Sequence, residues 1–172
     1  MSRNLEIKAK INDLALFEKI AMEIGASFEG EFFQVDTYFN VKNGRLKLRE
    51  FDSGISELIF YNRAEDGFER WSDYEIVRLS ESESLKNLLV KALGVKAIVE
   101  KRRKVYIFKN ARIHIDNIPG LGNFIEFEVI YNDDEKQVRN LMQFLMNKFE
   151  LKQGDFIKVS YCDLLLQKQN EK

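Results

Sequence analysis

Asn4-Leu5-Glu6-Ile7-Lys8-Ala9-Lys10 alternates polar and apolar residues without a break. In an extended strand this puts Asn4, Glu6, Lys8 and Lys10 on one face and Leu5, Ile7 and Ala9 on the other. One such strand is ordinary at a sheet edge, with its polar side wetted by solvent. The pattern recurs here, however, with both signs of charge. Lys47/Arg49, Lys101/Arg103, Arg112/His114/Asp116 and Glu126/Glu128 each stand two residues apart in strand-like segments. A sheet with one polar and one apolar face can close on itself. If the polar face is inside, the product is a barrel with a charged lumen and an apolar outer surface.

The remainder of the chain supplies the matching parts. Asn12-Asp13 offers a cap to a helix over 13–25, where Leu14, Phe17, Ile20, Ala21 and Ile24 recur at helical spacing and Gly25 is a stop. Extended segments are expected over 27–31, 33–40, 45–51, 56–63 and 70–79, with Asn43-Gly44, Asp52-Ser53-Gly54 and Glu65-Asp66-Gly67 as turns. A second helix is expected over 82–93, capped by Ser82 and ended by Gly94. Long strands are expected over 95–109, 112–117 and 123–131. A third helix begins after Asn132-Asp133-Asp134 and buries Val138, Leu141, Met142, Leu145 and Phe149. The run over 158–166 reads as a closing strand, followed by a polar tail. The expected fold class is therefore α+β: roughly eight or more antiparallel strands in a sheet closed, or nearly closed, into a barrel with a charged lumen, and three amphipathic helices packed outside.

At 172 residues this is one domain spanning 1–172, with its core over 3–166 and a tail over 167–172. The 27 basic and 28 acidic groups give a net charge of −1, which disfavours a bulk-electrostatic DNA binder and confines any anion site to a local cluster. Cys162 is the single cysteine, so no internal disulfide forms, as suits a reducing cytoplasm. No apolar stretch approaches the roughly 18 residues that cross a bilayer, so no membrane partner is expected.

Like-signed residues along a strand interior are costly unless something neutralises them. Glu126 and Glu128, about 7 Å apart by strand rise, call for a divalent cation, and carboxylate oxygens suit Mg²⁺ or Mn²⁺. Lys8, Lys47, Arg49, Lys101 and Arg103 call for an extended anion with several charges. Together these point to a polyphosphate, held by side chains because no glycine-rich phosphate loop is present. The competing reading is a structural network in which the charges pair off across the lumen or lie on a solvated face.

Several motifs then share one order. Glu6-Ile7-Lys8 resembles the end of a Glu-x-Glu-x-Lys opening motif, and Gln34-Val35-Asp36-Thr37-Tyr38-Phe39 a Gln-x-Asp-Thr-Tyr-Phe segment. Gly44–Arg49 resembles a Gly-x-x-Leu-Arg-x-Arg strand, and Asp73 and Glu75 a Glu-x-Glu pair. Lys101-Arg102-Arg103, Asp116, Gly120-Leu121-Gly122, Glu126-Phe127-Glu128 and Lys158 with Ser160-Tyr161 complete the series. On these residues the chain resembles the CYTH superfamily, the triphosphate tunnel metalloenzymes, from Arg3 to about Leu166. That superfamily includes class IV adenylyl cyclases and thiamine, inorganic and RNA triphosphatases. The resemblance implies a closed eight-stranded antiparallel β-barrel, a tunnel, with metal ligands at Glu6, Glu75, Asp116, Glu126 and Glu128. It implies triphosphate binding by Lys8, Lys47, Arg49, Arg63, Lys101, Arg103, Arg112 and Lys158, with Lys8, Lys47 and Arg49 also catalytic. Two positions depart from the pattern. Asn4 stands where the first Glu is expected, and Asn62 falls at a lysine of a Thr-Tyr-Lys segment, with Arg63 beside it.

The expected ligand is a small-molecule triphosphate: tripolyphosphate, ATP or thiamine triphosphate. The expected activity is metal-dependent hydrolysis. Cyclisation of ATP to cyclic AMP and pyrophosphate is one alternative, and a triphosphate-binding protein with weakened catalysis is another. Monomer and dimer both stay open. Among single residues, His114 reads as a neutral wall residue before a catalytic one, Cys162 as a buried hydrophobe, and Trp71 as surface packing before a stacking platform at a tunnel mouth. Tyr38 and Tyr161 read as packing residues whose hydroxyls can reach phosphate.

Overall fold

In a computed structural model, which describes residues 1–63 and 67–170, eight strands close into one antiparallel barrel. The elements in chain order are β1 (Ser2–Ile11), α1 (Leu14–Glu23), β2 (Ser27–Phe39), β3 (Arg45–Phe51), β4 (Ser56–Arg63), β5 (Arg70–Leu79), α2 (Glu83–Leu93), β6 (Val95–Phe108), β7 (Ala111–Ile118), β8 (Gly122–Ile130), α3 (Glu135–Lys148) and α4 (Tyr161–Asn170), with a single 3₁₀ turn at Gln153–Asp155 before α4. Around the barrel the order is β1-β5-β4-β3-β2-β6-β7-β8. β1 closes the ring by pairing with β5 on one side and β8 on the other, with Glu6 opposite Arg70 and Glu128.

Closure sorts the alternating strands as their pattern demands. Leu5, Ile7 and Ala9 point outward and pack with Ile113, Ile115, Ile125, Phe127 and Val129 under α1 and α3. Asn4, Glu6 and Lys8 point into the lumen. Asp13 caps α1 by accepting from the Leu16 N–H, and Asp134 caps α3 by accepting from the Gln137 N–H, both at 3.1 Å. On α3, Val138, Leu141, Met142, Leu145 and Met146 are buried, and deleting one such side chain costs about 2–5 kcal/mol.

Several local expectations are corrected. The segments expected over 27–31 and 33–40 form the single strand β2, which shifts register against β6 between Phe28 and Gly30. Ser82 makes no side-chain cap to α2. The Glu81 carboxylate accepts from the Glu83 and Ser84 N–H groups instead. The expected turn at Glu65-Asp66 lies outside the described residues, as do residues 171 and 172 of the tail.

The largest difference is at 158–166, where the expected closing strand is replaced by the start of a fourth helix, α4. Ser160 and Asp163 form a reciprocal cap: the Ser160 hydroxyl donates to Asp163 at 2.7 Å, and the Asp163 N–H donates to Ser160 Oγ at 3.1 Å. The apolar face of α4 then covers one end of the lumen. Tyr161 and Cys162 pack with Tyr38, Ile59, Tyr61, Val99 and Phe124, and Leu164, Leu165 and Leu166 add to the same cluster. Among the described residues, no helix is long and apolar enough to cross a membrane.

Candidate active site

The lumen holds a cavity of ≈ 450 Å³ to which every strand contributes. Its two long walls carry charge differently. On the β2–β3–β6 wall, Asp36 is fully buried and accepts from three cations. Arg49 grips it bidentately at 2.7 and 2.8 Å, Lys47 donates at 2.9 Å and Lys101 at 3.2 Å. The β2–β3 and β2–β6 registers bring these residues together from three strands. Burial works to raise the Asp36 pKa, but Arg49, Lys101 and Lys47 overcome it and hold the carboxyl well below its usual range. Burial, reinforced by Arg49, pulls Lys47 down to about 8. Lys101 is pulled well down by burial and by Arg103. One anion among three cations leaves this wall with excess positive charge, and a multiply charged anion is what would stabilise all three in their charged forms.

On the β1–β7–β8 wall every acid meets an arginine, and one arginine serves two acids. Arg63 donates to Glu6 at 3.0 Å, Arg103 to Glu126 at 2.9 Å, and Arg112 approaches Glu128 at 2.8 Å. Arg103 also holds Asp116 bidentately at 2.7 and 2.6 Å, and the Tyr161 hydroxyl donates to the same carboxylate at 2.8 Å. Burial and the neighbouring Glu126 raise the Glu6 pKa. Glu126 stays well below the usual range, because Lys8 and Arg103 outweigh its burial. His114 is held neutral by burial and by Arg103. Its Nδ1 is buried without a hydrogen-bond partner, and ligand atoms of His114, Glu126 and Glu128 all lie within 4.8 Å of one another. Two carboxylates and a neutral imidazole with a free lone pair fit a divalent cation.

Of the residues named from sequence, Glu6, Lys8, Lys47, Arg49, Arg63, Lys101, Arg103, Arg112, Glu126 and Glu128 all line the cavity. Arg63, not Asn62, faces inward on β4. Asp116 is buried beside the cavity, but its oxygens are taken up by Arg103 and Tyr161. Glu75 is not brought in. Ser72, Tyr74, Ile76 and Arg78 are the β5 residues that line the cavity, so Glu75 lies exposed on the outer face. Asp73 shares that face and pairs with Arg3 at 3.5 Å. Lys158 is exposed on the segment before α4, where its backbone carbonyl accepts from Arg70. Trp71 also faces outward, with the Arg3 guanidinium 4.4 Å from its ring centre. Sequence reasoning passed over two site residues. Asp36 has the same parity as Gln34 and Tyr38, which was its available signal. His114 was read as a wall residue before any other role, and only its approach to Glu126 and Glu128 makes it a ligand candidate.

A family profile for the CYTH domain matches residues 2–161. The chain belongs to the CYTH family. A candidate adenylate cyclase of Methanocaldococcus jannaschii is 25% identical to this CYTH chain, the match covering 93% of this chain and 97% of that protein. A solved Pyrococcus horikoshii protein superposes with a TM-score of 0.85 at 20% identity, over 94% of this chain and 98% of the other. A candidate adenylyl cyclase from Hippeastrum, described as having a dominant triphosphatase activity, superposes with a TM-score of 0.68 at 11% identity, over 96% of each chain. At these identities the two solved structures bear on the CYTH fold alone.

Proposed function

We propose that the chain is a divalent-metal-dependent triphosphatase that works as a single tunnel domain. It would bind a triphosphate or nucleoside triphosphate in the lumen and hydrolyse it. The observation that carries this reading is the convergence of Lys47, Arg49 and Lys101 on the single buried carboxylate of Asp36 among the described residues of that wall, which leaves their surplus charge facing the cavity. A chain of phosphoryl groups along that wall would accept hydrogen bonds from all three, and from Arg103 and Lys8, which line the same cavity. Charge-assisted contacts of this kind strengthen as negative charge develops on the phosphoryl oxygens and the leaving phosphate.

Glu126, Glu128 and His114 would hold Mg²⁺ or Mn²⁺, with Glu6 close by. When bound, the metal supplies charge neutralisation at the phosphoryl oxygens and lowers the pKa of a bound water. Lys47, Arg49 and Lys101 hold the phosphates in register, while Arg63 and Arg112 fix the carboxylates of Glu6 and Glu128. In hydrolysis, water adds to the terminal phosphorus, the bond to the bridging oxygen breaks, and orthophosphate and the shortened phosphate leave. The name of the Methanocaldococcus relative keeps cyclisation of ATP as the second reading.

Turnover of tripolyphosphate, ATP and thiamine triphosphate with and without Mg²⁺ or Mn²⁺, with the products identified, tests the reading. Metal-dependent release of orthophosphate is expected. Cyclic AMP and pyrophosphate as the main products would replace hydrolysis by cyclisation, and tight binding without turnover would leave a binding protein.

A further inference from the structure

Resting on the metal and polyphosphate readings above, we propose that Arg63 is a fixed second cation of the tunnel. Its guanidinium stands in for a second divalent ion, so the protein takes up one metal ion per chain. The starting point is the two positions at which the sequence departs from the CYTH pattern: Asn4 in place of an acid, and Asn62 with Arg63 beside it in place of a lysine. In the closed barrel these departures meet. β5 alone separates β1 from β4. Asn4 lies opposite Ser72 in register, and Ser72 lies opposite Arg63. They form one row across three strands, roughly 10 Å from end to end by strand spacing. All three line the cavity, and the middle residue, Ser72, is small and buried. The Arg63 side chain crosses β5 along this row, and its Nη1 donates to Glu6 on β1 at 3.0 Å.

Two unpaired atoms supply the second observation. Arg63 Nε and Asn4 Oδ1 are both buried, and neither has a hydrogen-bond partner among the described residues. A divalent ion at Glu6 would do two things: neutralise the carboxylate and hold a phosphoryl oxygen. The guanidinium does the first through Nη1 and keeps the Nε–H for the second, because a buried donor beside a cavity calls for an acceptor. Glu6 and Arg63 are a closely matched pair, with side chains 9% and 5% exposed. A metal ion could ligate Glu6 only by displacing the guanidinium, which would leave a buried cation unpaired. Asn4 completes the arrangement. Its amide oxygen is the remaining ligand atom on that side, and it brings no charge with which to win a hard cation. The ligand atoms of Glu126, Glu128 and His114 converge within 4.8 Å, and Glu6 does not join that group. One metal position is therefore equipped on β7 and β8, and one protein cation occupies the corner between β1 and β4.

The experiment counts Mn²⁺ ions bound per chain, from the paramagnetic resonance of free Mn²⁺, in the wild type, in Arg63→Gln and in the double variant Asn4→Glu/Arg63→Gln. One ion is expected in the wild type. A second, weaker ion is expected in Arg63→Gln, where Glu6 is released, and a tighter second ion in the double variant. Metal-free calorimetry supplies the other arm. Arg63→Gln should bind tripolyphosphate about tenfold more weakly, the loss of one charge-assisted contact. Emission of Trp71, the single tryptophan, reports folding in both variants. Two ions of similar affinity in the wild type overturn the proposal without recourse to any variant. A count of one in both folded variants overturns it too, as does a tripolyphosphate affinity that Arg63→Gln leaves unchanged. In each of these cases the metal and polyphosphate readings stand. If the wild type binds no Mn²⁺, the metal reading fails first, and if it binds no tripolyphosphate the polyphosphate reading does, each taking the proposal with it.

Discussion

The two long walls of the tunnel solve the cost of buried charge in opposite ways. The β2–β3–β6 wall shares one carboxylate among three cations, whereas on the β1–β7–β8 wall Glu6 and Glu128 each meet an arginine and Arg103 is divided between Asp116 and Glu126. Sharing leaves a cationic surplus that only an added anion removes. Three arginines set against four acids leave carboxylate oxygens that are held in place yet still able to face a cation. The difference teaches that burial alone does not say what a charged lumen binds. The partner count on each wall does, and each wall can be broken separately.

The largest effect is expected from Asp36→Asn. It removes the carboxylate that, among the described residues, pairs with Lys47, Arg49 and Lys101, and breaking a buried ionic cluster of this kind costs about 3–5 kcal/mol. Urea unfolding should show that loss, and saturating tripolyphosphate should restore part of it. A loss under about 1 kcal/mol, at the level of a surface pair, would mean Asp36 does not organise the wall. Next, Arg49→Ala should weaken tripolyphosphate binding by about 1.5–3 kcal/mol, the worth of a hydrogen bond to a charged group, and weaken orthophosphate binding far less. Equal losses for the two anions by calorimetry would remove the case for an extended phosphate along this wall.

On the opposite wall, Glu128→Gln should lower Mn²⁺ affinity about tenfold or more, roughly 1.4 kcal/mol, with a smaller stability change than Asp36→Asn, because the Glu128 side chain keeps 16% of its exposure. Titration followed by the paramagnetic resonance of free Mn²⁺ reads this directly, and unchanged affinity would exclude Glu128 as a ligand.

A smaller effect concerns protons. Burial, reinforced by Arg49, pulls Lys47 down to about 8, and a bound polyanion would stabilise its ammonium, so binding near that pH should take up a proton. Affinity should then fall as pH rises through 8, by less than about 1.4 kcal/mol per pH unit for one group. Binding heats that do not vary with the ionisation enthalpy of the buffer would contradict this. The smallest change is expected from Asn4→Glu. Asn4 is buried on the lining with an unpartnered Oδ1, and a carboxylate there adds charge near Glu6, so Mn²⁺ affinity should rise a few-fold, or roughly 0.6–1 kcal/mol. Weaker or unchanged binding would put Asn4 outside the metal's reach.

The sequence by itself determined the barrel and most of its lumen. Where a strand's two faces differ as sharply as Leu5, Ile7 and Ala9 differ from Asn4, Glu6 and Lys8, only one face can meet the apolar stripes of α1 and α3, so the lumen residues follow from parity. β5 lacks that contrast. Trp71, Asp73, Glu75 and Val77 on one face and Ser72, Tyr74, Ile76 and Arg78 on the other are equally mixed, so parity grouped them without saying which group turns inward. Closure of β5 onto β1 and β4 decided it, and left Glu75 outside. The segment over 158–166 was ambiguous for a related reason. A short apolar run fits a strand or a helix equally well, and the Ser160–Asp163 cap together with an uncovered barrel end selected α4. The ligand-competent state of His114 was decided at the same level. Its charge and its free lone pair depend on burial beside Arg103 and approach to Glu126 and Glu128, and these groups meet only when the ring of strands is closed.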